Sequence, residues 1–276
     1  MFQPAIPLSG IGGWRFLQDT YSRQLDSFSD SPQVRNDRDY MLEKLSNRMT
    51  VDEFMSDRRL LRVTMTAFGL GGEEWKGGFI RKALEEVGDP DSTFLARLNN
   101  TKYTKFAEAL APIDGNIIMS SGELAKIAVN FEAQSFQTAV GEVDDSMRLA
   151  LNFQTEIAEM TGNDASDKTI LYRILGDVPV RTVFETAFSL PQGISSLDLD
   201  RQADIFKEKI TSVLGISDLS ELAEPEVTEK LIHRFLAMET IENGSTSYSS
   251  ASAALTLLGN GVGSQASQNL FISLLM

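Results

Sequence analysis

Apolar residues recur along this chain at intervals of three and four, in runs opened by capping residues and closed by glycine or proline. Such a pattern predicts helices. Ser31, with Pro32 in the first turn, opens one to about Met49, and Thr50 with Glu53 has capping-box spacing that opens a short one through Phe54. From Asp57 the positions Leu60, Val63, Ala67 and Leu70 share a face, with Gly69 as the stop. Phe79 to Val87 is the next helix, ended by Gly88, and Asp89 with Pro90 opens another that carries Phe94, Leu95, Leu98, Tyr103 and Phe106. No run alternates convincingly with a period of two. Ile113 to Ser120 comes nearest to a strand, and it is short and isolated.

Ser120 and Glu123 form a second capping-box pair, and no proline follows until Pro179. Phe136, Val140, Val143, Met147 and Leu151 make one stripe, so the spacing predicts a single helix to Met160, about 60 Å long at 1.5 Å per residue. Gly141 is the place where it would bend or split. Beyond it, Asp57 to Leu70 (DRRLLRVTMTAFGL) aligns without gaps with Asp177 to Leu190 (DVPVRTVFETAFSL). Val63 with Val183, Ala67 with Ala187 and Leu70 with Leu190 fall on one face, which reads as an old duplication whose copies make equivalent contacts. Helices over Asp198 to Leu214, stopped by Gly215, and Pro225 to Met238, with Glu224 as cap, complete the pattern.

The expectation is an all-α protein of two helical lobes joined by a long connector helix. Residues 1–30 form an amino-terminal arm, Pro- and Gly-rich to Gly13, and a first helix; 31–119 are lobe one, 120–162 the connector, 163–240 lobe two and 241–276 a tail. The tail differs in kind. From Ile241 to Met276 it holds one charged side chain, Glu242, yet two apolar clusters interrupt its serines and glycines. Leu270 with Leu274 and Phe271 with Leu275 have i, i+4 spacing, which suits a short helical stripe on contact with a partner or with the body.

Composition narrows the chemistry. A net charge of −14 over 276 residues, with no basic stripe, repels phosphate backbones and speaks against nucleic acid. The absence of cysteine removes disulfides, thiolate nucleophiles and thiolate metal ligands. The opening lacks a signal-peptide pattern, and no apolar run approaches the length of a membrane span, so synthesis in the cytoplasm without membrane insertion is expected, any export being signal-less. Oligomeric state is left open.

Candidate sites are sparse. His233 is the only histidine, so no histidine triad or multi-histidine metal site can form, and no cofactor is implied. Gly69 to Gly78 (GLGGEEWKGG) follows a helix and lacks the Gly-Lys-Ser/Thr ending of a phosphate loop, which makes it a helix stop and loop. The adjacent carboxylates Glu73–Glu74, Glu85–Glu86 and Asp144–Asp145 point apart on a helix and read as structural rather than as a glycosidase pair. Arg58, Arg59 and Arg62 occupy the helix end that disfavours cations, and serve either intramolecular salt bridges or an acidic partner. Trp14, with Phe16, Leu17 and Tyr21, either anchors the arm to the body or docks a partner.

Several segments together resemble a known bacterial family: MFQPAIPLSGIGGWRFLQDTYSRQ, DRRLLRVTMTAFGL, FIRKAL, ARLNNTKYTKF, RTVFETAFSLP, LDRQADI and EKLIHRFL. The family is the domain of unknown function designated twelve-seventeen, whose genes commonly lie in flagellar gene clusters. The likeness spans nearly the whole chain, implies a flagellar process and brings no catalytic residues. Separately, QASQNLFISLLM resembles the carboxy-terminal tail of flagellins through Ser273, Leu274 and Leu275, although Met276 departs from it and the rest of the chain is unlike flagellin.

The resulting expectation is a non-enzymatic, flagellum-associated structural or assembly protein whose partners are other flagellar or export proteins, met through the tail. A chaperone or adaptor of flagellar export is the alternative and would present a groove for a partner helix. A cell-wall hydrolase, third, would need a cleft with convergent carboxylates.

Overall fold

The computed structural model describes residues 2–89, 91–98, 100–162 and 165–246. Residues 2–9 are extended, and α1 (Gly10–Ser29) begins inside the expected arm. It is followed by α2 (Pro32–Leu45), α3 (Val51–Ser56), α4 (Arg58–Ala67), α5 (Gly77–Glu86), α6 (Phe94–Leu98) and α7 (Thr101–Ala109). Then come α8 (Ser121–Val143), α9 (Asp145–Thr161), α10 (Asp167–Gly176), α11 (Val178–Ala187), α12 (Leu199–Leu214) and α13 (Pro225–Thr246), with 3-10 turns at Gln192–Ser196 and Leu219–Ala223. Among the described residues the protein is all-α apart from a two-residue antiparallel pair, β1 (Met49–Thr50) against β2 (Asn116–Ile117), of which β2 lies within Ile113 to Ser120. No helix among the described residues is long and apolar enough to cross a membrane.

Local capping sets many of the boundaries. Both capping boxes form: the hydroxyls of Thr50 and Ser120 accept from the Glu53 and Glu123 amides, and those glutamates accept from the cap amides in return. The α2 helix stops at Leu45, four residues early, because Met49 and Thr50 are drawn into the strand pair. The helix expected from Asp89 to Phe106 is two, since the Asn100 side chain accepts from the Lys102 and Tyr103 amides and starts α7 afresh. Gly215 ends α12 in the left-handed conformation, φ 76°.

The duplicated motif folds twice in the same way. Asp57 and Asp177 cap α4 and α11 by accepting from the amides of Leu60 and Val180. At the other end Gly69 and Ser189 are both left-handed, at φ 68° and 50°. In each copy the next amide, Leu70 or Leu190, bonds five residues back, to Met65 or Glu185.

The connector is the main correction. Residues 120–162 are two helices, broken at Asp144, which is extended (φ −151°, ψ 107°) and whose carboxylate accepts from the Ser146 and Met147 amides as the cap of α9. Tyr21 of α1 packs edge-on to Phe136 while Gln18, one turn earlier, bonds Gln154. Positions comparably distant from Asp144 on either side therefore lie together, and α8 and α9 form a hairpin. Gly141 does not split the helix, which runs on to Val143; a side chain there would strike Arg148, which folds back over it. A single cluster of buried side chains runs through both expected lobes, with Trp14, Phe54, Phe106, Phe136, Phe153, Phe184, Phe206 and Phe235 fully buried within it. Helix α4 packs on α8 and α2, whereas α11 packs on α13, α9 and α10.

Candidate functional site

A groove of about 850 Å³ opens beside α2, α4 and α8. Its α8 wall is Phe131, Ser135, Thr138, Ala139 and Glu142, one face of three turns and so about 16 Å long. Val63 of α4, Val34 of α2 and Phe28 at the end of α1 form its buried apolar base, and Phe2 of the extended arm packs edge-on to Phe28 with ring centroids 6.0 Å apart. Phe28 in turn packs on Phe136, 5.6 Å away, which ties the floor to the core. The rim is mainly acidic, with Asp37, Glu74 and Glu142, and its one arginine, Arg62, is bonded to Asp37 at 3.1 Å. An apolar channel with a polar rim suits an amphipathic helix; of its carboxylates, Asp37 is engaged by Arg59 and Arg62 and Glu74 accepts from the Gly72 amide.

The expected site residues are not brought together. Trp14 is fully buried, so it anchors α1 to the body and is unavailable to a partner. Arg59 and Arg62 both pair with Asp37, and Arg59 also lies 4.3 Å from the centroid of the Tyr40 ring, so these two answer to the intramolecular reading. Arg58 is exposed and has no ion pair among the described residues. Leu270, Phe271, Leu274 and Leu275 lie outside the described residues. His233 faces Glu229 one turn back on α13, at 3.0 Å.

Each carboxylate pair is split between separate structural duties. Glu73 accepts from the Tyr103 hydroxyl and from Lys76, and Glu74 accepts from the Gly72 amide. Glu85 faces Arg81 and Glu86 accepts from Ser92; Asp144 caps α9 while Asp145 holds Arg148. The glycine-rich segment is the stop of α4 and a loop, with Gly69 and Gly72 left-handed.

Sequence reasoning missed one charged cluster. Lys102 of α7 reaches Asp177, the cap of α11, at 3.0 Å and Glu156 of α9 at 3.6 Å, in a largely buried place. Burial raises the Glu156 pKa despite the opposing lysine. Burial also works against the Lys102 charge, but Glu156 and Asp177 outweigh it and its pKa is raised. One cation already satisfied by two carboxylates is a structural tie. Next to it Lys105 pairs with Glu159, so α7 is laced to α9 twice.

The chain belongs to the family described as "Protein of unknown function (DUF1217)", whose profile matches residues 67–228. No curated protein matches it in sequence. A crystal structure of a protein from Agrobacterium tumefaciens, determined as a structural-genomics target, has the same fold with a TM-score of 0.68 at 24% identity; the alignment covers 87% of this chain and 99% of that one.

Proposed function

We propose that this member of the DUF1217 family works by binding and not by catalysis, as a flagellum-associated assembly protein that holds a helical segment of another flagellar or export protein. The observation that carries the reading is the α2–α4–α8 groove: 16 Å is room for about three helical turns, and its apolar walls and acidic rim suit an amphipathic helix with basic flanks. That geometry favours the chaperone or adaptor form over a building block of the filament. The flagellar setting itself comes from the resemblance of the sequence to its family. Ala139 lines the groove half-buried, and Ala139→Arg would block it. Capture from extracts of motile cells should recover flagellar or export proteins with the natural chain and lose them with the variant. Equal recovery with both would remove the groove from the function. Presence of the chain as a stoichiometric part of purified flagella would favour the structural role, and peptidoglycan turnover abolished by changing one carboxylate would replace binding with hydrolysis.

A further inference from the structure

We infer that the groove is occupied in the free protein by this chain's own segment Leu270–Leu275, which a partner helix must displace. The contact does not depend on the flagellar reading; the displacement rests on it. The groove's closing end is at Glu142, two residues before the Asp144 corner. Helix α13 runs to that same corner: Glu239 lies close enough to Asp144 and Asp145 for their charges to act on it, and Thr240 abuts Gly10 at the start of α1. From that corner α13 runs only six residues further, about 9 Å, to Thr246. From Thr246 to Leu270 it can span up to about 80 Å at 3.3 Å per residue, several times the length of the groove. Reach is not limiting, and tethering at this length supplies an effective concentration on the order of millimolar, so a weak contact is populated.

Charge permits the same occupant. The rim holds Asp37, Glu74 and Glu142, and the corner adds Asp144, Asp145, Glu239 and Glu242, which would repel an acidic helix. Residues 247–276 contain no Asp, Glu, Lys or Arg. Such a segment has no charged side chain for the rim to repel and none to desolvate. In a helix, Leu270 with Leu274 and Phe271 with Leu275 share one face, which would meet the groove's apolar residues, Phe2 and Ala139 half-buried over the buried Phe28, Val34, Val63 and Phe131.

The chain has no cysteine, so Gln33→Cys on the groove rim together with Ser273→Cys gives a unique spin-label pair in the full-length protein. The expected result is one short, narrow distance that persists when the labelled chain is diluted into excess unlabelled chain. Ala139→Arg should lengthen and broaden it. Leu274→Asp should do the same without touching the folded body, which keeps the test decisive even where the arginine disturbs α8. A short distance that vanishes on dilution places the segment in a second copy and overturns the inference, as does a long, broad distance that neither variant changes. No flagellar protein is present in this measurement, so the contact and the capture of a partner can fail independently.

Discussion

Replacing Lys102 by Met removes the one cation from the cluster where α7, α9 and α11 meet. The side chains of Lys102, Asp177 and Glu156 keep only 15%, 15% and 8% of their surface exposed. The lysine stem lies against Gly69, and Met preserves most of it, so the change takes away charge more than packing. Removing one partner of a fully buried pair costs about 3–5 kcal/mol; the residual exposure and retained packing reduce the expectation to roughly 2–3 kcal/mol at neutral pH. The loss should depend on pH. Because burial raises the Glu156 pKa, the unfolded chain gives up that proton first. Stability linked to it is full below the unfolded value and is lost as pH rises through the folded one. Without Lys102 the folded value moves higher still, so the variant should lie closest to the natural protein near pH ~4 and furthest from it at and above neutrality. Urea denaturation across that range reads the difference, and Glu156→Gln in the Lys102→Met background should recover part of it. A loss equal at acid and neutral pH, or one that Glu156→Gln does not reduce, refutes the reasoning.

Two further perturbations follow from the caps. Ser189 holds a left-handed conformation at the end of α11 where its counterpart at the end of α4 is Gly69; Ser189→Gly should raise stability by about 1 kcal/mol and Gly69→Ala lower it by a similar amount, as read by thermal unfolding. Asp144→Ala deprives the Ser146 and Met147 amides of their acceptor and should cost about 1–2 kcal/mol with helix content unchanged by circular dichroism; no loss would mean that packing alone sets the corner.

What was legible in the sequence is what a few neighbouring residues settle among themselves. Thr50 with Glu53 and Ser120 with Glu123 close their bonds within four residues, and Gly215 stops α12 by its own backbone freedom. The likeness of α4 and α11 was legible because the matched residues, Asp57 with Asp177 and Phe68 with Phe188, are the cap positions themselves. The break at Asp144 was hidden because the apolar stripe keeps its phase across it: Phe136 and Val140 before, Met147 and Leu151 after, are all buried whether the helix runs on or turns. Only tertiary packing distinguishes these, and Gly141 misled because its role is to leave room for Arg148 and not to flex. Lys102, Glu156 and Asp177 are remote in sequence, and no local pattern links them. The groove is a space left between helices, so no residue type marks it.

The two copies of the motif are linked to one another. At the first copy the cap Asp57 receives the Tyr40 hydroxyl at 2.6 Å; at the second, Asp177 receives Lys102, whose stem crosses Gly69, the stop of the first copy. The end of one copy is thus joined to the beginning of the other through α7. Their surroundings differ. Helix α11 is packed by two long helices, α9 and α13, while α4 has one, α8, with the shorter α2 and α3. The groove opens beside α4 at Arg62, Val63 and Thr66, the positions that match Thr182, Val183 and Thr186 of α11. A helix laid there would give α4 a second neighbour on the face that α11 covers with α9 and α13 within the fold.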